Sequence, residues 1–159
     1  MGTGFRALRL TASVMVLFLA GVAVSCGGGD ASGPSEKPPG PGFMVGDWIA
    51  KALVVTSVAN PEVSIDLTAA GAIFTLSVQP SGRYTAILSG FGQASSESGT
   101  LSVEGPQVVF RRTVPSQEVS RSTWVRDGAD VTLTGPTEFD LNLDGTTEDA
   151  TIVIGLTPR

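Results

Sequence analysis

At 159 residues the chain has room for one domain: once an apolar leader and a polar linker are set aside, roughly 115 residues remain for a single modest core. It has no histidine and one cysteine, Cys26, which excludes Ser-His-Asp and Cys-His catalysis, His-ligated zinc and any intrachain disulfide. Without Arg6 and Arg9 of the leader, eight basic residues face fifteen acidic ones, a net −7, and the basic residues are scattered, so nucleic acid is not an expected partner.

The chain opens with two arginines and no acid up to Arg9, followed by an almost unbroken apolar run from Leu10 to Val24. That is the pattern of a secretory signal peptide, residues 1–25. Beyond the leader no apolar stretch approaches the roughly 20 residues of a spanning helix, so the mean hydropathy of +0.24 reflects the leader. Ala23-Val24-Ser25-Cys26 resembles the lipobox of bacterial lipoproteins, although leucine is usual three residues before the cysteine. The resemblance implies cleavage before Cys26 and acylation of its thiol with palmitate-type chains. An ordinary cleaved leader, or an uncleaved anchor, is the competing reading. From Gly27 to Gly42 the chain is GGGDASGPSEKPPGPG, which has hardly any apolar side chain to bury, so residues 26–43 are expected to tether the domain flexibly to a membrane. Gly27 in place of aspartate favours an outer-membrane destination within the cell envelope.

From Gly46 onward apolar and polar residues alternate in short segments, as in half-buried antiparallel strands. Eight segments are expected: Trp48 to Ser57, Ala72 to Gln79, Arg83 to Phe91, Thr100 to Gly105, Gln107 to Val114, Val119 to Arg126, Ala129 to Gly135 and Ala150 to Thr157. Pro80-Ser81-Gly82, Gly105-Pro106, Pro115-Ser116 and Asp127-Gly128 supply short links that parallel crossovers cannot use. The fold class is therefore all-β over residues 44–159, a meander closed as a barrel or stacked as a sandwich.

Gly46-Asp47-Trp48 resembles the Gly-x-Trp motif that opens the first strand of lipocalins. The resemblance implies an up-and-down barrel of about eight strands, with Trp48 plugging its closed end and a late arginine packed over the indole. Arg159 is the first candidate for that arginine and Arg126 the second. No Thr-Asp-Tyr turn occurs, which places the chain with loosely lipocalin-like domains.

The stretch from Asp140 to Asp149 reads D-x-N-x-D-G-x-x-E and then Asp149. Oxygen ligands at Asp140, Asn142, Asp144 and Glu148 around a permissive Gly145 suit calcium. Thr151 stands where an EF-hand has its glutamate, so the stretch resembles the shorter calcium loops of β-hairpins. A solvated hairpin turn, in which Asp and Asn cap their own backbone, explains the same residues.

Trp48, Trp124, Tyr84, Phe74, Phe91 and Phe110 are core candidates before they are ligand contacts. Arg111-Arg112 and Arg121 are expected as solvated charges on outer strand faces, with an anionic ligand as the alternative. Glu104 and Glu118 illustrate that spacing selects no pair of carboxylates for glycosidase chemistry. No enzyme activity is expected. The functional expectation is a membrane-anchored binding module holding a small hydrophobic ligand; the alternative is a structural or interaction protein whose barrel is filled by its own side chains.

Overall fold

The computed structural model describes residues 40–159. The leader, Cys26 and the linker up to residue 39 lie outside the described residues. After a 3-10 turn at Gly42–Met44 come β1 (Gly46–Ser57), β2 (Ser64–Asp66), β3 (Ile73–Val78), β4 (Arg83–Gly90), β5 (Gln93–Glu104), β6 (Gln107–Val114), β7 (Glu118–Asp127), β8 (Asp130–Phe139) and β9 (Glu148–Pro158). All pairings are antiparallel, and β1 also pairs with β9 from Trp48 opposite Pro158 to Ser57 opposite Ala150. Eight strands thus close a barrel, with β2 a short flap on β1. Closure pairs the edge groups that an open meander would leave bare.

Beyond shifts of one or two residues at strand ends, the structure departs from the sequence expectation in β2, β5 and β8. The flap β2 has three exposed residues and no apolar alternation to announce it. β5 begins at Gln93 rather than Thr100, because Phe91 and Gly92, both at positive φ (53° and 76°), make a two-residue turn that sets Gly90 opposite Gln93. The twist of such a turn matches the strands, so the ladder continues through the polar run Ala94 to Ser98 despite its composition. β8 runs on past Gly135-Pro136 to Phe139, paired there with β9 alone. Its ladder with β7 stops at Thr134, since Pro136 has no N–H to donate.

The end of the expected tether also differs. Val103 N–H donates to Gly40 O at 2.9 Å, Pro41 is buried, and Met44 is fully buried, so residues 40–43 belong to the folded body.

Alternation fills the barrel, but bulges shift it. Trp48 and Ala50 point inward, Lys51 is bulged out between Ala50 and Ala52, and from there Leu53 and Val55 face the core. One cluster runs from Met44 and Trp48 through Leu76, Tyr84, Leu101 and Val108 to Leu133 and Leu156. A second, of Leu53, Val55, Leu67, Ala72 and Ala150, occupies the other end, and Phe74 and Ile154 pack against both. Each fully buried Leu or Val contributes about 1.5–3 kcal/mol. The barrel therefore has two ends: a Trp48 end, with the turns after β3, β5 and β7, and a loop end, with the connections after β1, β4, β6 and β8.

Candidate functional site

Among the described residues, Glu97, Arg112 and Glu118 join in one charged group on the inner face of the barrel. Tyr84, Ala86 and Leu88 share the inner face of β4, and Ala86 is opposite Glu97 on β5. On β6 the inward series Val108 and Phe110 continues to Arg112, whose opposite residue on β7 is Glu118. The Arg112 side chain, 18% exposed, donates from Nη1 to Glu97 Oε2 at 3.4 Å and from Nη2 to the Glu118 carboxylate. Its Nε donates to Ser116 O and its Nη2 to Ser116 Oγ, each at 3.2 Å. Tyr84 O–H donates to Glu97 Oε1 at 3.2 Å, and its ring meets Phe110 edge-on at 5.3 Å. Burial first, then the charge of Glu97, push the Tyr84 phenol far above its ordinary range. The network is thus one guanidinium between two carboxylates, with a phenol locked in its neutral form. Because the guanidinium engages both acids, the arrangement positions strands rather than freeing a general acid or base.

The outer face differs. Arg111 points away from the core and pairs with Glu104 at 2.9 Å, while donating to Ser102 Oγ at 2.9 Å. The hydrogen bond from Arg111, reinforced by Ser102, holds the Glu104 carboxyl below the usual range. Lys51, from the β1 bulge, pairs with Asp130 and likewise holds that carboxyl low.

At the Trp48 end the indole of Trp48 is 5% exposed and donates from Nε1 to Met44 O at 2.9 Å. Phe43 stacks at a tilt on Trp124 with centroids 4.4 Å apart, and Arg126 lies over Phe43 at 5.7 Å. Two open clefts flank this end. One, of about 460 Å³, runs over Asp47, Thr75, Ser77, Thr85 and Ile87. The other, of about 330 Å³, lies among Phe43, Val45, Trp48, Arg126 and Arg159. Thr75, Ser77, Thr85 and Ile87 alternate with the buried Leu76, Val78, Tyr84 and Ala86, so the larger cleft lies on the outside of the barrel.

In the loop between β8 and β9, Asp140 Oδ1 accepts from Asp144 N–H (3.1 Å) and its Oδ2 from Gly145 N–H (2.8 Å). Asn142 Oδ1 accepts from Asp144 N–H at 2.9 Å, and Asp144 Oδ1 from Thr146 N–H at 2.8 Å. These side chains fold the loop by capping its own amides. Glu148 Oε1 is buried without a hydrogen-bond partner. Among the described residues no three acidic, Cys or His side chains are grouped to hold a metal ion.

With this geometry in place, one solved structure is similar. It is a lipoprotein, YedD, from Klebsiella pneumoniae subsp. pneumoniae, 15% identical over 76% of this chain and 77% of its own, with a TM-score of 0.39. No protein-family model and no curated protein matches.

The residues singled out from sequence fare differently. Trp48 is buried at the head of β1. Arg159 is exposed and joins the barrel by its backbone, its N–H donating to Asp47 O at 2.9 Å, and among the described residues the guanidinium over a ring is Arg126 on Phe43. Trp124 is half-buried and donates from Nε1 to Gly105 O at 3.1 Å. Arg112, expected as a solvated charge, points inward. Glu104 and Glu118 fall on opposite faces of the sheet and cannot act on one substrate. Sequence reasoning missed Glu97 altogether, because it sits in the polar run between the expected segments that end at Phe91 and begin at Thr100. Cys26 lies outside the described residues.

Proposed function

We propose that this chain is a lipid-anchored protein of the bacterial cell envelope, held through Cys26, whose lipocalin-like barrel is non-catalytic and works through its outer surface. The observation that carries the second half is the filled interior: two apolar clusters bridged by Phe74 and Ile154, with the Arg112 network beside them, occupy the space where a carrier would hold its ligand. A small hydrophobic ligand would need roughly 300 Å³ of mostly apolar pocket. The two clefts described above open to solvent at the Trp48 end, beside Asp47, Ser77 and Arg159, and not between the two apolar clusters. The anchor rests on Ala23-Val24-Ser25-Cys26 and the linker behind it, and an outer-membrane destination on Gly27. The absence of histidine, and the tying of Glu97 and Glu118 to one guanidinium, support a non-catalytic role.

Calcium at Asp140, Asn142, Asp144 and Glu148 is a second proposal, for the loop alone. It is favoured by the buried Glu148 Oε1 that lacks a partner. An ion would have to gather oxygens that now cap the loop.

Fractionation of cells expressing wild type and Cys26→Ser tests the anchor. The wild type is expected in the membrane pool and the variant in the soluble pool; equal partitioning overturns the reading. Native mass spectrometry of the membrane-extracted protein tests the filled barrel, with no retained lipid or other small molecule expected beyond the acyl chains on Cys26.

A further inference from the structure

The chain enters the barrel at the Trp48 end, where Gly40 O is bound by Val103 N–H and Pro41 lies against Gly82. Cys26 stands fourteen residues earlier, a span of at most about 50 Å when extended.

Charge is sorted along the barrel in the same sense. The loop-end connections contain no Lys or Arg, and they carry Glu62, Asp66, Asp140 and Asp144, with Asp149 just inside β9. At the Trp48 end Glu104 and Asp130 are neutralised by Arg111 and Lys51. Arg83, Arg126 and Arg159 are all exposed there, against Asp47 and Asp127. Arg126 and Arg159 line one cleft with Phe43, Val45 and Trp48, and Asp47 is the carboxylate that shares it. Val45 is 40% exposed and Val125 68% alongside; apolar side chains such as Phe91 and Leu143 are bare at the loop end too, so charge is what distinguishes the two ends.

We infer that the Trp48 end docks onto an anionic lipid bilayer, with Arg126 and Arg159 on headgroup phosphates and Val45 and Val125 against the apolar boundary beneath. This rests on the lipid-anchor reading for its tether. Guanidinium forks match phosphate oxygens in pairs, and each cation brought to an anionic surface raises residence there about fivefold. The acidic loop end is repelled by the same surface. The anchor and the field therefore turn the barrel the same way, leaving the loop end facing outward.

The test uses the lipidated full chain reconstituted on vesicles of phosphatidylcholine, with or without phosphatidylglycerol. Phenylglyoxal modifies accessible arginines, and peptide mass spectrometry reads the rate at each site. Modification of Arg126 and Arg159 is expected to slow several-fold on the phosphatidylglycerol vesicles and recover in high salt, while Arg121, on the outer barrel wall, is unchanged. Equal rates on both vesicles, with the protein still sedimenting with lipid, overturn the docking and leave the anchor intact. A chain that sediments with neither vesicle overturns both. Equal slowing by inorganic phosphate on phosphatidylcholine alone overturns the bilayer as occupant and assigns the cleft to a soluble anion. Val125→Ser, which keeps every cation, is expected to lose part of the protection; full protection in that variant overturns the apolar contact.

Discussion

Arg111 and Arg112 are adjacent in the chain and serve opposite sides of the barrel wall: Arg111 pairs outward with Glu104 at 2.9 Å, Arg112 inward with Glu97 at 3.4 Å. The pleat makes this unavoidable, since successive side chains leave a strand on opposite faces. Their energetic roles differ accordingly. Arg111 is 45% exposed and Arg112 18%, so the inner guanidinium is the more shielded of the two, although its partner Glu97 is 37% exposed.

Arg112→Met is therefore expected to destabilise the fold by about 1–2 kcal/mol, because it leaves the part-buried carboxylates of Glu97 and Glu118 facing each other without their shared cation. Arg111→Met is expected to cost less than about 1 kcal/mol. Urea unfolding of both variants checks the difference, and equal midpoints would mean that Arg112 is solvated after all. A cycle with Glu118→Gln should recover part of the Arg112→Met loss.

Tyr84 is the one tyrosine in the chain, so phenolate absorbance reports it alone. Burial, and then Glu97, raise its folded pKa above the unfolded value near 10. The folded state thus holds the proton more tightly. The associated stability is complete below about pH 10 and is lost as pH climbs above it. Phenolate should appear together with unfolding, not before it, and Tyr84→Phe should withstand higher pH. A phenol that titrates near its ordinary value in the folded protein would contradict the hydrogen bond to Glu97.

Trp48→Ala should lower stability by about 3–5 kcal/mol, through cavity formation beside Met44 and Leu156. Trp48→Phe keeps most of the packing and loses the bond to Met44 O, for about 1 kcal/mol. A ranking in which the phenylalanine variant is as damaged as the alanine one would place the weight on the hydrogen bond rather than on volume.

Asp140→Ala removes both acceptors that cap Asp144 and Gly145, so a loss of about 1–2 kcal/mol is expected even in chelator. The calcium proposal expects more: a wild-type melt that rises in millimolar calcium relative to chelator, and an Asp144→Ala melt that does not. Identical wild-type melts under both conditions leave backbone capping as the loop's whole task.

Sequence alone determined the eight barrel strands and their meander, though not the flap β2, because alternation and turn chemistry are local and repeat in segments such as Gln107–Val114, which the structure matches to the residue. It also placed Trp48 in the core, since a large aromatic opening the first amphipathic strand has nowhere else to go. Only the tertiary structure decided which charges meet. Arg112 continues the inward series of Val108 and Phe110 by plain alternation, whereas the Lys51 bulge changes inward parity partway along β1, and no alternation pattern records a bulge. Gln93 to Ser98 became strand because a two-residue turn imposed the ladder on a polar run, which brought Glu97 within reach of Arg112 and Tyr84. The partner over an aromatic ring, Arg126 on Phe43 rather than Arg159 on Trp48, followed from the folding back of residues 40–43 onto the barrel, a long-range packing event that a Gly- and Pro-rich sequence does not announce.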